Sequence, residues 1–296
     1  MKLLFKILIP RRVGGILLAA LGLFAAPLIA KADVITNNSQ ADFQTALDNG
    51  GLITFSGSTT FTLTNSLRIT NSVTIDASGF SVVFSGNNAV RVFSITNSVT
   101  AEFIHLTISN GKSTNGAGLF IAPGATVFLT NCVLSGNTAI GTNGNNGKSA
   151  SSSGGDGNNG EAGTSAVGGA IYNLGALSIF VSTISGNKAT GGDGGTGGNG
   201  APGSLFGGNG GNGAKGALGW GGGIYNTGTV FIINTTLMDN RADGGDGADG
   251  GAGGAAPFPG TTGSGGLGGV GLGGGIYNLG TLQITNSTFA ANTVTG

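Results

Sequence analysis

Three 22-residue segments of this chain align without a gap: residues 168–189 (GGAIYNLGALSIFVSTISGNKA), 221–242 (GGGIYNTGTVFIINTTLMDNRA) and 273–294 (GGGIYNLGTLQITNSTFAANTV), their starts 53 and 52 residues apart. A fourth, looser copy runs from Gly116 to Ala139 and is two residues longer near Pro123. A unit that recurs at a fixed spacing must pack against copies of itself, so the repeat constrains the fold before anything else does. Each copy holds three short apolar runs bounded by Gly or Asn, the pattern of strands and turns. Three such strands close no core alone; stacked, they bury a continuous apolar column and pair each strand above and below. The fold class that follows is all-β: a right-handed, three-sheet parallel β-helix with glycine-rich inserts between coils.

The aligned columns name the interior. Ile171, Ile224 and Ile276 share one column, Leu177, Val230 and Leu282 a second, Ile179, Ile232 and Ile284 a third, and Ile184, Leu237 and Phe289 a fourth. Two asparagine columns run beside them, Asn173, Asn226 and Asn278, and then Asn137, Asn187, Asn240 and Asn292. Stacked amides bond along a solenoid axis, and Asn tolerates left-handed backbone at corners. Gly175, Gly228 and Gly280 mark another corner, where a positive φ is expected. Tyr172, Tyr225 and Tyr277 are placed to stack as a structural ladder.

The string G-G-G-I-Y-N-x-G-T-L-x-I-x-N-S-T-F-x-x-N resembles the repeat of bacterial pectin-lyase-like β-helix proteins, among them polymorphic outer membrane proteins and autotransporter passengers. The early chain is similar too: Ala41-Asp42-Phe43-Gln44-Thr45-Ala46-Leu47, then Ile53-Thr54-Phe55 and Val73-Thr74-Ile75-Asp76. The resemblance implies that the first of these runs is a short amphipathic helix capping the open end of the stack, within a cap region over 33–60, followed by the β-helix over 61–296. It is informative about fold and says little about activity, because this fold serves lyases, adhesins and plain stalks alike.

Glycine, 63 of 296 residues, is concentrated between the copies, at about 141–167, 190–220 and 243–272. It recurs every third residue at 154, 157, 160 and 163, at 191, 194, 197 and 200, and at 244, 247, 250 and 253. Second runs follow in the last two tracts, beyond the clusters Pro202-Gly203-Ser204-Leu205-Phe206 and Ala256-Pro257-Phe258-Pro259. A period of three is that of the polyproline II helix, which has no internal hydrogen bonds. Two readings stand. Each tract is a loose low-complexity loop, or it goes out as one leg, turns at the cluster and returns, bonding laterally to its neighbours. Six prolines in the whole chain are too few for collagen.

Residues 1–32 read as a secretory signal: a basic start with Lys2, Lys6, Arg11 and Arg12, the apolar run Val13 to Ile29, and Ala30-Lys31-Ala32 as a small-x-small cleavage site. The expected location is therefore extracellular or on the outer cell surface, with no membrane span in the mature chain. Without this segment seven basic groups face twelve acidic ones, which excludes nucleic acid as a partner. Cys132 is the single cysteine, so no internal disulfide forms, and it is expected to fill a buried apolar position.

The chemistry-bearing residues are few. Arg68, Asp76, Arg91, Glu102 and His105 in the early coils are the candidates for a polysaccharide lyase or hydrolase, which would need carboxylates and a proton acceptor beside a uronate. Against that, Asp76 lies in a T-I-D-A-S-G turn and His105 reads as an outward strand residue. Gly244-Gly245-Asp246-Gly247-Ala248-Asp249 begins like a calcium-binding nonapeptide but lacks its apolar anchor at Gly251, so no metal and no cofactor are expected. The leading expectation is a non-enzymatic stalk, adhesin or matrix component. Its partners would be cell-surface or matrix glycans or proteins, or copies of itself, and Leu205, Phe206 and Phe258 would form the contact. The repeat halts at Gly296, where a further tract would open, so the chain reads as an incomplete form of a longer protein.

Overall fold

A computed structural model describes residues 32–296; the proposed signal, apart from Ala32, lies outside the described residues. The strands form five all-parallel sheets, the architecture of a parallel β-helix. In the order the chain visits them in one coil, sheet 1 has six strands (Leu67–Ile69 to Ile276–Asn278), sheet 2 eight (Ala32–Ile35 to Thr281–Thr285) and sheet 3 seven (Thr59–Thr62 to Thr288–Ala290). Sheet 4 has five (Lys112–Ser113 to Thr293–Thr295) and sheet 5 three (Ala166–Val167 to Gly271–Leu272). The three apolar runs of each repeat are the strands of sheets 1, 2 and 3. Sheets 4 and 5 flank the glycine tracts. Their strands are only two or three residues long, too short for an apolar alternation to announce a strand.

The register follows the columns read from the sequence. Ile171 pairs with Ile224 and Ile224 with Ile276; Leu177, Val230 and Leu282 align, as do Ile184, Leu237 and Phe289. The looser copy is in step as well, with Leu119 beside Ile171 and Leu134 beside Ile184. Ile171, Ile224, Ile179, Ile232 and Leu237 are fully buried in one continuous core. Cys132 sits in that core, and burial pushes its thiol up to about 11, far from a reactive thiolate.

The asparagine columns bond as expected. Asn137 Nδ2 donates to Asn187 Oδ1 (3.0 Å), Asn187 to Asn240 (2.9 Å) and Asn240 to Asn292 (2.9 Å). Their backbone is not left-handed, however. Positive φ occurs instead at the corner from sheet 2 to sheet 3 (His105, Asn131, Val181, Asn234, Asn286) and at the corner from sheet 3 to sheet 4 (Asn110, Gly136, Gly186, Asp239, Ala291). Gly175, Gly228 and Gly280 do not take positive φ either. They are glycine because a Cβ at Gly228 would stand 2.0 Å from the Gly175 carbonyl oxygen, and at Gly280 2.0 Å from that of Gly228. Successive coils simply touch there.

The helix Gln40–Asn49 (α1) caps the first coil. Ser39 accepts from the Asp42 N–H, and Phe43, Ala46 and Leu47 are buried. Phe43 packs on Phe61 and Phe84 with ring centroids 5.1 and 4.7 Å away. The free edge of the first sheet 1 strand is paired by side chains: Gln44 Nε2 donates to the Arg68 carbonyl (2.8 Å), and its Oε1 accepts from the Arg68 N–H (3.0 Å). Gln40 does the same for the Asn65 carbonyl and the Thr64 N–H. Two amide side chains thus replace a missing strand and remove an edge open to aggregation.

Candidate functional site: the glycine legs and their tip

The glycine tracts are ordered. Outgoing legs run over 141–150, 191–201 and 244–254, and returning legs over 155–165, 207–218 and 260–270. At about 3.1 Å per residue a ten-residue leg reaches ~30 Å. Outgoing legs bond to one another, Gly147 to the Thr196 carbonyl (2.7 Å) and Gly197 to that of Asp249 (2.9 Å). Returning legs do likewise, Gly160 to Asn212 (2.9 Å) and Gly213 to Ser264 (2.8 Å), and the two layers are joined by bonds such as Gly195 to Glu161 and Ala214 to Gly195. Leg 191–201 therefore bonds to four neighbours. Its spacing rule is steric: at Gly192, Gly195 and Gly198 a Cβ would stand 2.0 to 2.1 Å from a carbonyl of the preceding tract.

The third residue of each triplet faces outward and is mostly Asn, Asp, Ser or Thr for a structural reason. Its side chain accepts the N–H that the leg geometry leaves over in the next tract. Asn143 Oδ1 accepts from Asp193 (2.9 Å), Asp193 Oδ1 from Asp246 (2.8 Å) and Asn159 Oδ1 from Asn212 (2.7 Å). The calcium-like segment is one of these legs, with the carbonyls of Asp246 and Asp249 taken by Gly194 and Gly197.

The far end of the bundle gathers the apolar residues read as a contact. Phe206 and Phe258 form a parallel bridge and their rings stack with centroids 5.3 Å apart. They are 64% and 59% exposed, and Leu205 beside them is 52% exposed. The Gly207 N–H donates to the Phe258 carbonyl and the Phe258 N–H to that of Leu205, so the tip is braced rather than loose. In the first tract Ser153 holds the matching position, and 150–155, 200–207 and 253–260 carry no charged side chain.

The tyrosines form a column in which Tyr225 and Tyr277 stack, while Tyr172 meets Tyr225 edge-on at 74°. Tyr225 lies 5.2 Å from Tyr172 and 5.6 Å from Tyr277, and Phe120 extends the ladder below Tyr172. Trp220, which sequence reasoning passed over, lies near-parallel to Tyr225 and Tyr277 with ring centroids 5.8 and 5.4 Å away.

Of the early-coil residues, three share one edge. Asp76 pairs with Ile104 and Thr74 with Glu102, so both carboxylates lie on the outer face of sheet 2, and His105 is at the next corner. His105 is a corner residue with φ 63° rather than a strand residue, and its ring meets Asn131 Nδ2 at 2.9 Å. Asp76 Oδ1 accepts from the Ser78 N–H (2.8 Å), an Asx turn, and Glu102 accepts from the Thr74 hydroxyl (3.2 Å). Arg91 lies at a different corner, before sheet 1. Its guanidinium donates to the Gly116 carbonyl, Ser113 and Asn115, and stacks on Phe120 at 5.1 Å. Among the described residues no three His, Cys, Asp or Glu side chains gather as a metal-binding group, and no helix is long and apolar enough to cross a membrane. No protein-family model, curated protein or solved structure matches this chain.

Proposed function

We propose that this chain is an exported, non-enzymatic β-helix protein of the pectin-lyase-like, autotransporter-passenger kind, working as an adhesin, stalk or matrix component that makes contact through the tip of its glycine bundle. One observation carries the reading: the stacked, exposed Phe206–Phe258 pair with Leu205, braced at the end of legs about 30 Å long. Exposed apolar clusters mark contacts, and a rigid support lowers the ordering cost of binding. An uncharged aromatic tip suits the apolar face of a sugar ring or a protein surface at the cell exterior or in the matrix. The test is the double variant Phe206→Ser with Phe258→Ser, screened beside the parent on glycan and matrix-protein arrays. Loss of binding with an unchanged melting temperature supports the tip. Binding that survives the double variant refutes it.

A further inference from the structure

The corner from sheet 2 to sheet 3 is not uniform along the stack. Asp76 pairs with Ile104 and Val82 with Leu106, so one coil spends Ala77 to Ser81 on a corner that the next coil turns with His105 alone. The coil after that again turns tightly, at Asn131, since Thr130 pairs with Ile104 and Val133 with Thr107. A loop inserted into one coil of a solenoid projects from its face, and such insertions often form the binding face. This loop is built to hold its shape. Asp76 Oδ1 accepts from the Ser78 N–H (2.8 Å), the Phe80 N–H donates to the Ala77 carbonyl (3.0 Å), and Gly79 supplies a φ of 88°. Its ends are fastened to the coils on either side: the Ala77 N–H donates to the Ile104 carbonyl (3.0 Å) and the Ser81 N–H to Ser58 Oγ (2.9 Å).

The braced loop sets Phe80 beside the tight corners that follow, and a cleft of about 390 Å³ lies between them. Phe80 and Val133 are its apolar walls, 36% and 37% exposed. Its polar groups belong to Ser81, His105, Thr107 and Asn131, and no Lys, Arg, Asp or Glu lines it. Asn131 Nδ2 stands 2.9 Å from Nδ1 and 3.2 Å from Nε2 of His105, which fixes the two side chains against each other. The hydroxyls of Ser81 and Thr107 and the Asn131 Oδ1 make no hydrogen bond among the described residues. A cleft that joins an aromatic wall to a few uncharged donors and acceptors has the make-up of a small-molecule site, and its volume falls within the ~300–1,000 Å³ such sites span.

We propose that this cleft binds one neutral sugar residue of a glycan, a hexose or N-acetylhexosamine unit. The apolar face of its pyranose ring lies against Phe80, and its hydroxyls bond to His105, Thr107 and Asn131. The lining selects this class over others. A phosphate, a sulfate or a uronate carboxylate finds no Lys or Arg there to pair with. A wholly apolar ligand would cover the Ser81, Thr107 and Asn131 groups without giving them a partner, which costs free energy. A pyranose presents C–H groups on one face and hydroxyls around its rim, and so answers both the ring of Phe80 and the uncharged polar groups opposite.

The test is amide NMR of the isotope-labelled chain titrated with the methyl glycosides of glucose, galactose, mannose and N-acetylglucosamine, at the millimolar concentrations where single-ring affinities register. At least one glycoside should shift the amides of Gly79, Phe80, His105, Asn131 and Val133 along one saturable curve. Phe80→Ala should weaken that glycoside roughly tenfold at an unchanged melting temperature, and Phe80→Tyr should retain it. No saturable shift at these amides with any of the four overturns the site. Undiminished binding to Phe80→Ala, or a loss in Phe80→Tyr as complete as in Phe80→Ala, overturns the role of the ring. Methyl galacturonoside bound as tightly as the neutral glycosides overturns the neutral class, and N-acetylphenylalaninamide bound more tightly overturns sugar as the ligand. Shifts confined to Leu205, Phe206 and Phe258 would put the sugar at the bundle tip and overturn this cleft, so the outcome is separable from the adhesin reading.

Discussion

Replacing Gly197 by Val separates an ordered bundle from a set of loops more sharply than any other change. Gly197 is central in leg 191–201, and a Cβ there would lie 1.9 Å from the Gly211 carbonyl oxygen, 2.6 Å from its carbon and 2.7 Å from the Gly251 nitrogen. All three atoms are backbone, so nothing swings aside, and ordinary contact requires the legs to part by ~1.5 Å. Four bonds cross that level: Gly197 to Asp249 (2.9 Å), Gly198 to Asn158 (2.8 Å), Gly211 to Gly198 (2.8 Å) and Gly251 to Gly211 (2.8 Å). Losing three or four of them at a net ~1 kcal/mol each costs about 3–4 kcal/mol. The control is Gly268→Ala, whose nearest neighbour is 3.8 Å away and whose φ lies outside the left-handed region that side chains avoid. It should be neutral or stabilising by up to ~1 kcal/mol through the unfolded chain. The assay is amide exchange by mass spectrometry with thermal unfolding alongside. Gly197→Val should expose amides across 141–165, 191–218 and 244–270 while strands of sheets 2 and 3 stay protected. Equal exchange in parent and variant, or equal damage from Gly268→Ala, would refute the packing argument.

Three other outcomes follow from the same geometry. Asn240→Ala strands the N–H and Nδ2 of Asn187 and the Ile184 carbonyl in a buried ladder, so urea denaturation should show a loss of about 2–4 kcal/mol, with Asn292→Ala at the ladder's end costing clearly less. Val181 is β-branched at φ 51° and 58% exposed, in a column otherwise held by His105, Asn131, Asn234 and Asn286, so Val181→Asn should raise stability by about 1 kcal/mol; an unchanged midpoint would deny the strain. At Asp243 burial raises the carboxyl, but hydrogen bonds from Thr295, Arg241 and Lys188 outweigh it and hold it below its ordinary value. A depressed acid stabilises above its unfolded pKa of about 3.9 and loses that contribution as pH falls through the folded value, so the Tm gap between parent and Asp243→Asn should be constant at neutral pH and close below about pH 4.

The coil body was legible in the sequence because its cause is local and repeated. An apolar residue at the same offset in each copy has one place to go when copies stack, so the Ile171, Leu177, Ile179 and Ile184 columns could be aligned before any coordinates. The capping helix was legible only through resemblance, and the feature that makes it a cap, Gln44 and Gln40 standing in for a strand, leaves no periodic trace. The corners misled for a related reason. Gly228 suggests positive φ as readily as close approach, and only the 2.0 Å separation from the coil below distinguishes them.

The glycine tracts mark the boundary most clearly. The three-residue period alone suggested a threefold leg, since glycine at every third place suits such a helix, but left the loose loop open beside it. It could not determine order, because a leg has no internal hydrogen bonds and the bonds that hold it come from other legs, about 6 to 53 positions away. Whether those residues arrive in register depends on the coils, which set the three tracts side by side at one corner of the stack. The exposed tip depends on it too: Phe206 and Phe258 are 52 residues apart in sequence and meet only because two legs of equal length end together. Local pattern suggested the leg, and the stacking of the coils decided that the legs become a bundle.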